Sequence, residues 1–467
     1  MIGWFAVDPY LGRMNFLAEI VRRFAAHRDG AGRDPVARFA AAAIAEAGEE
    51  LVEAAHENED GRKKSQEAQK ENATADFLRL LAAMSLVTSS MLRWLCFILA
   101  VAFVALSSLT AVKSPDWAPW KLAVLAGEYG HWVAFAPLLV AVLAWLFRGD
   151  SVGLARTTLL LGGLAFGLLL RPCLEAALIA RTLPEKLERQ FGRVALARAP
   201  FSFGALFGGV EVSASAETMS YSGELVLDFY RVVRADAKPA PCVIVVHGGG
   251  WDGGDRGEIT HFNRWLAGRG YAVAAIDYRL APKFSWPAPR DDVLAAIAFL
   301  KNHAAALGID AHRLVLFGRS AGGNLAEATA YAAGDAAIRG VVALYAPADL
   351  NFAYTYGRED DVLKSPQLLR QFLGGPPETA RLAYDGASGY EHVGKTTPPT
   401  LLLHGQLDPL VWHRQSERLD ARLAERGVPH AFVLLPWATH AFEFNLAGPG
   451  GQLTRFSVEW FLVAVTK

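Results

Sequence analysis

With 467 residues, the chain is too long for one ordinary domain and long enough for two or three. Hydrophobic residues make up 52% and charged residues 20%, so part of the chain belongs in lipid or in an unusually large buried core. The formal net charge of −1 provides no global field to recruit nucleic acid, which excludes it as a partner on composition.

Residues 1–57 have helical periodicity. Phe16, Leu17, Ile20, Val21 and Phe24 recur at helical spacing, and an Ala-rich stretch runs from Phe39 to Val52. Gly30, Gly32 and Pro35 separate the two helices. From His56 through Asn72 the charges are mixed and apolar residues nearly absent, as in a solvated helix surface or a linker. An uncharged run from Trp94 to Val112 is, at roughly 20 residues, long enough to cross a bilayer core of ~30 Å. Trp94 stands at one end, and Trp117 and Trp120 lie just past the other, as interfacial aromatics do. A second run covers Trp132 to Phe147. A third covers Val152 to Leu170, with Gly162-Gly163 placed for close helix packing. Three spans are expected; the rival reading is a large buried helical subdomain. The first run begins too far into the chain to be a signal peptide. Arg79, Arg93, Arg148 and Arg156 would lie on one side of the membrane. Lys113, Lys121, Arg171, Arg181, Lys186 and Arg189 would lie on the other, a difference too small to fix the sidedness. Cys96 and Cys173 lie in or beside these runs and Cys242 opens a later strand. All three read as buried thiols, with no metal-ligand spacing.

After about residue 220 the texture changes. Leu225–Arg231 alternates apolar and polar and reads as an antiparallel edge strand. Cys242–Val246, Tyr271–Ile276, Arg313–Phe317, Val341–Tyr345 and Thr400–Leu403 are continuous apolar runs, the pattern of strands covered by helices on both faces. Helical stretches near 259–267, 290–303, 321–332 and 414–425 alternate with them, which predicts a mostly parallel α/β sheet. Domain boundaries are expected at 1–76 (helical region with charged linker), 77–180 (membrane helices), 181–220 (connector or cap) and 221–467 (catalytic α/β domain).

Four motifs carry chemistry. Gly318-Arg319-Ser320-Ala321-Gly322-Gly323 sits between a strand and an Ala-rich helix, the G-x-S-x-G context in which glycines let a tight turn expose a serine hydroxyl. His247-Gly248-Gly249-Gly250-Trp251 follows the strand Cys242–Val246, where glycines let backbone N–H groups turn toward a developing oxyanion. Asp408 lies in the loop after Thr400–Leu403, and His440 follows the run Ala431–Leu435. The order Ser, Asp, His suits a serine nucleophile with His440 as base and Asp408 orienting it. Asp349 competes with Asp408. His247 reads as a loop-orienting residue and His404 as a structural hydrogen-bonder.

These motifs, with Asp277-Tyr278-Arg279-Leu280-Ala281-Pro282 and Asn324, together resemble the hormone-sensitive-lipase-like esterase/lipase group of α/β-hydrolases. Leu227-Asp228-Phe229-Tyr230-Arg231 is also similar to its acetylesterase, feruloyl-esterase and formamidase-like relatives. The resemblance covers roughly residues 220–465. It implies an α/β-hydrolase fold, oxyanion donors at the N–H groups of Gly249, Gly250 and Ala321, and a structural role for Asp277–Pro282. Two departures stand out: Arg319 replaces the acidic or small residue usual before the nucleophile, and residues 1–180 match nothing in the group. In relatives an N-terminal helical cap roofs the site; here the membrane helices and the connector occupy that place and either roof the pocket or tether it. The expectation is a multi-pass protein of a bacterial-type inner membrane that hydrolyses short-chain or amphiphilic carboxylic esters with no cofactor or metal. Acyltransferase or amidase chemistry on the same triad, and a non-catalytic ligand-binding hydrolase fold, are the alternatives.

Overall fold

The computed structural model describes residues 63–467, apart from Glu211, Ser213 and residues 233–237. The two helices expected over residues 1–57 lie outside the described residues. The charged stretch, from Lys63 onward, is the first part of a helix, α1 (Lys63–Ser108). Three more helices follow: α2 (Trp117–Val133), α3 (Phe135–Leu146) and α4 (Val152–Phe191). The described residues fall into two compact units, 63–103 with 137–163 and 104–136 with 164–467.

The first expected span is the second half of α1, and the third is the first part of α4; both helices are long and apolar enough to cross a membrane. The second is not one helix, since α2 and α3 meet at an angle of 61°. The cause is Pro137, which has no N–H to give to the carbonyl of Val133 and whose ring would collide with it. Helix α2 therefore stops there, and α3 begins in a new direction. The glycine expectation holds for Gly162, where a Cβ would lie 2.6 Å from the Pro137 carbonyl of α3, while Gly163 faces open space. All three cysteines are buried. At about 1.5 Å per residue α4 is roughly twice as long as a bilayer core is thick. Its second half buries Ala176, Leu183 and Leu187 against the α/β domain. There Lys186 Nζ donates to the Phe432 carbonyl.

The α/β domain is an eight-stranded sheet in the order β1-β2-β4-β3-β5-β6-β7-β8. The strands are β1 (Ala216–Ser222), β2 (Leu225–Tyr230), β3 (Ala240–Val246), β4 (Ala272–Ile276), β5 (Ile309–Arg319), β6 (Ile338–Leu344), β7 (Thr400–Gly405) and β8 (His430–Leu435). The pairs from β4 to β8 are parallel, and β1 and β2 are antiparallel. Successive side chains of one strand serve opposite faces: Leu314 and Leu316 join one core, and Val315 and Phe317 the other. The helices covering these faces are α5 (Thr260–Gly268), α6 (Ala288–Asn302), α7 (Ala321–Ala333), α8 (Leu350–Tyr356), α9 (Ser365–Leu373), α10 (Pro377–Ala387), α11 (Arg414–Glu425) and α12 (Pro449–Val465).

The expected edge strand is antiparallel but is not the edge. β2 lies between β1 and β4, and β1 forms the border. β1 escaped the periodicity argument because Tyr221 is its one buried residue. Residues 182–207 run along α12: Phe191 packs edge-on against Phe461, Arg198 pairs with Glu459, and Ser202 N donates to Gln452 Oε1.

Candidate active site

Strand β5 ends at Arg319 and α7 starts at Ala321, so Ser320 alone makes the turn, with φ 51° and ψ −122°. A non-glycine residue there stores strain on the order of 1–3 kcal/mol, which its surroundings must hold. They do so through Ser320 N to the Leu344 carbonyl (2.9 Å) and Asn324 N to the Ser320 carbonyl (3.1 Å). The flanking glycines are sterically forced. A Cβ on Gly318 would lie 2.1 Å from the Gly322 carbonyl, and one on Gly322 would lie 2.1 Å from the Val246 carbonyl.

The loop after β3 passes beside this turn, close enough that a Cβ on Gly248 would lie 3.4 Å from Ser320 Cβ. Gly249 and Gly250 have φ of +108° and +62°, conformations that favour glycine. Several contacts fix the loop. The His247 ring stacks on Tyr278 at 4.2 Å, Tyr278 Oη donates to the His247 carbonyl, and Gly248 N donates to Glu258 Oε2 at 3.0 Å. Trp251 Nε1 donates to Asn324 Oδ1 of α7, whose amide in turn donates to the Pro347 and Ala387 carbonyls. Asp277 accepts from Arg256 N and Nη1, so its stretch braces the loop region.

The loops after β7 and β8 bring Asp408 and His440 together, His440 Nδ1 to Asp408 Oδ2 at 2.6 Å. The second carboxylate oxygen accepts from Leu410 N (2.8 Å) and Val411 N (3.0 Å). Burial works against the Asp408 carboxylate. The charge of His440 and hydrogen bonds from His404 and His440 outweigh it and hold the carboxyl well below the usual range. His404 itself bonds Ser416 Oγ and the Val411 carbonyl. Asp349 is engaged elsewhere: Oδ1 caps α8 through Phe352 N and Oδ2 pairs with Arg418 at 2.7 Å. Among the hydrogen bonds of the described residues, none joins Ser320 Oγ to His440. The two loops meet instead through Tyr345, which follows the Leu344 that anchors Ser320 and whose ring centroid lies 4.1 Å from the imidazole.

Two contributors are not announced by any motif. Arg319 does not point at solvent: it is fully buried, and its Nε donates to Glu443 Oε1 at 2.8 Å, with Glu443 also fully buried. Tyr345 Oη donates to the same oxygen at 2.5 Å. Burial, above all, keeps that hydroxyl protonated by pushing its pKa well above the usual value. Arg319 precedes Ser320 and Glu443 follows His440 by three residues, so one ion pair ties the serine turn to the histidine loop. The guanidinium also lies over Phe262 and Phe317 and 4.0 Å from Glu258, which holds Gly248 N. The second contributor is Trp120 of α2. Its indole N–H donates to the His440 carbonyl at 3.3 Å, and its ring stands edge-on to the imidazole at 6.5 Å.

A family model described as BD-FAE matches residues 227–423. A probable carboxylic ester hydrolase, LipM, of Mycobacterium tuberculosis is 29% identical over 256 residues, 51% of this chain and 58% of the relative. Esterase LipQ of the same organism is 31% identical over 232 residues, 47% of this chain and 55% of the relative. The chain thus spans little more than half the length of these two. Ethyl acetate hydrolase of Pseudomonas putida is 31% identical over 233 residues, 47% of this chain and 71% of the relative.

Removing one partner of a buried ion pair strands the other charge. Glu443→Gln is expected to lower stability by about 3–5 kcal/mol in denaturant melts. Arg358→Ala, which breaks the exposed pair with Asp360, is expected to leave the melt nearly unchanged. The depressed Asp408 carboxyl stabilises the fold fully above its unfolded pKa of about 3.9, and that contribution is lost as pH falls below it. The stability gap between wild type and Asp408→Asn, followed by melting at successive pH values, is therefore expected to narrow below about pH 4.

Proposed function

Because the chain belongs to the hormone-sensitive-lipase-like esterase group of α/β-hydrolases, we propose that it is a serine carboxylesterase held at a membrane by its N-terminal helices. The reading rests above all on the short Asp408–His440 hydrogen bond and on a serine held half-buried in a strained turn. With Nδ1–H committed to Asp408, His440 presents Nε2 as an acceptor, the tautomer a general base needs.

In this mechanism Ser320 Oγ attacks the ester carbonyl carbon and passes its proton to His440 Nε2. The carbonyl oxygen gains charge beside the N–H groups of Gly249, Gly250 and Ala321, the last of these at the start of α7, where the helix dipole favours an anion. Collapse of the tetrahedral intermediate breaks the bond to the alcohol oxygen, which takes the proton from His440. Water then attacks the acyl-enzyme, again giving its proton to His440, and the acid leaves as Ser320 recovers its hydrogen. Asp408 keeps the imidazole oriented and stabilises its cationic form without itself taking the proton. Ester hydrolysis of this kind accords with the names of the relatives; short-chain acyl esters and amphiphilic esters are the substrates proposed. Anchoring is assigned to α1 and α4, and catalysis to the sheet domain from β1 onward.

The test is hydrolysis of p-nitrophenyl acetate and butyrate by the detergent-purified protein. Wild type is expected to turn both over and to be labelled by a fluorophosphonate, and Ser320→Ala to lose both. Asp408→Asn is expected to keep the label slowly while kcat falls on the order of 10⁴-fold. Equal rates in wild type and Ser320→Ala would remove Ser320 from the nucleophile's role.

A further inference from the structure

Helix α2 has two unlike sides. Its inner side buries Ala123, Ala126, Gly127, Glu128, Gly130 and His131. This side docks on the segment around His440: Glu128 Oε2 accepts from Gly450 N at 2.9 Å, and its backbone carbonyl accepts from Asn445 Nδ2 at 2.9 Å. Glu128 Oε1 faces Trp437 Nε1 at 3.5 Å, and in the first turn Trp120 touches His440 itself. The outer side is uncovered and mostly apolar, with Lys121 exposed in its first turns. Leu122 is 48% exposed, Leu125 49% and Trp132 58%, a stripe at helical spacing, with Trp117 at the start of the helix 43% exposed.

Such a stripe is costly in water and marks an interaction surface. Its occupant can be read from the neighbouring helix in the same compact unit. α2 packs on α4 so closely that a Cβ on Gly130 would lie 3.1 Å from Leu169 Cδ2. α4 is long and apolar enough to cross a membrane, and its Leu164, Leu174 and Leu178 are likewise more than half exposed, at 51%, 54% and 57%. The uncovered face of α2 thus belongs to a helix packed against one that is long and apolar enough to span and also exposes leucines, which favours lipid over a soluble protein.

We propose that the outer face of α2 rests in the bilayer and that the active site draws its substrate from there. The substrate is an amphiphilic carboxylic ester whose acyl chain stays among the lipids while its carbonyl reaches Ser320 past Trp120. The dimensions agree. A helix with side chains is about 10–12 Å across, so lipid on one side of α2 lies within that distance of His440 on the other. Interfacial helices sink about 5–10 Å into the headgroup and acyl boundary, the depth at which ester groups of acyl lipids reside. This reading rests on the serine esterase assignment and adds the source of the substrate.

The test uses the full chain in phosphatidylcholine vesicles with two probes, p-nitrophenyl acetate in the water and 4-methylumbelliferyl oleate dissolved in the vesicles. Wild type is expected to hydrolyse both. A variant combining Leu122→Gln, Leu125→Gln and Trp132→Gln is expected to match wild type on the acetate and to slow on the oleate by roughly tenfold or more. A nitroxide on Leu125→Cys, the three native cysteines being buried, is expected to relax with oxygen in the lipid rather than with an aqueous nickel chelate. Equal loss or equal retention on both esters, or a label reached by the chelate, overturns the proposal. A label shielded from both reagents also overturns it, in favour of a second protein covering α2. Wild type active on the acetate alone sinks the bilayer source while the esterase reading stands; activity on neither sinks both.

Discussion

Everything at this site hangs on the lack of space around one turn. Strand β5, helix α7 and the end of β3 approach so closely at Ser320 that neither residue two positions away can carry a Cβ. The crowding pushes the serine into a left-handed conformation that only surrounding hydrogen bonds sustain. Because β3 is the partner that crowds Gly322, the turn is also registered against the loop of Gly248 to Gly250. Ser320 and the glycine loop are thus positioned by a single steric constraint between adjacent parallel strands. The buried Arg319–Glu443 pair extends that registration to the loop of His440. A charge pair in the core does little for net stability but penalises any arrangement that parts its members, so it specifies geometry.

What the residues revealed by themselves follows the same logic. The strands β3 to β8 were legible because burial on both faces makes a parallel strand a continuous apolar run. The turn at Ser320 was legible because its tightness restricts residue types locally. β1 was not, since an edge strand with one inward side chain has no apolar pattern. Nor was the role of Arg319 or Glu443: a buried ion pair is a relation between residues 124 apart in sequence, and neither end carries a local signature. The break at Val133 could have been read from Pro137, whose missing N–H is a local fact. The docking of α2 on the histidine loop could not, since Glu128 and Trp120 look like ordinary helix residues until their partners are seen.

The helical region is consequently part of the surroundings of His440. α2 reaches His440 through an indole and the loop beyond it through a carboxylate.

The tail of α4 has one more consequence. β8 is the outermost strand on its side of the sheet, and its free backbone acceptors would invite pairing with a strand from another molecule. Lys186 donates to the Phe432 carbonyl on that strand and brings a cation to the border. An ammonium at an open β border is a recognised guard against aggregation. The tail of α4 thus places a charge, as well as an apolar face, against the border of the sheet.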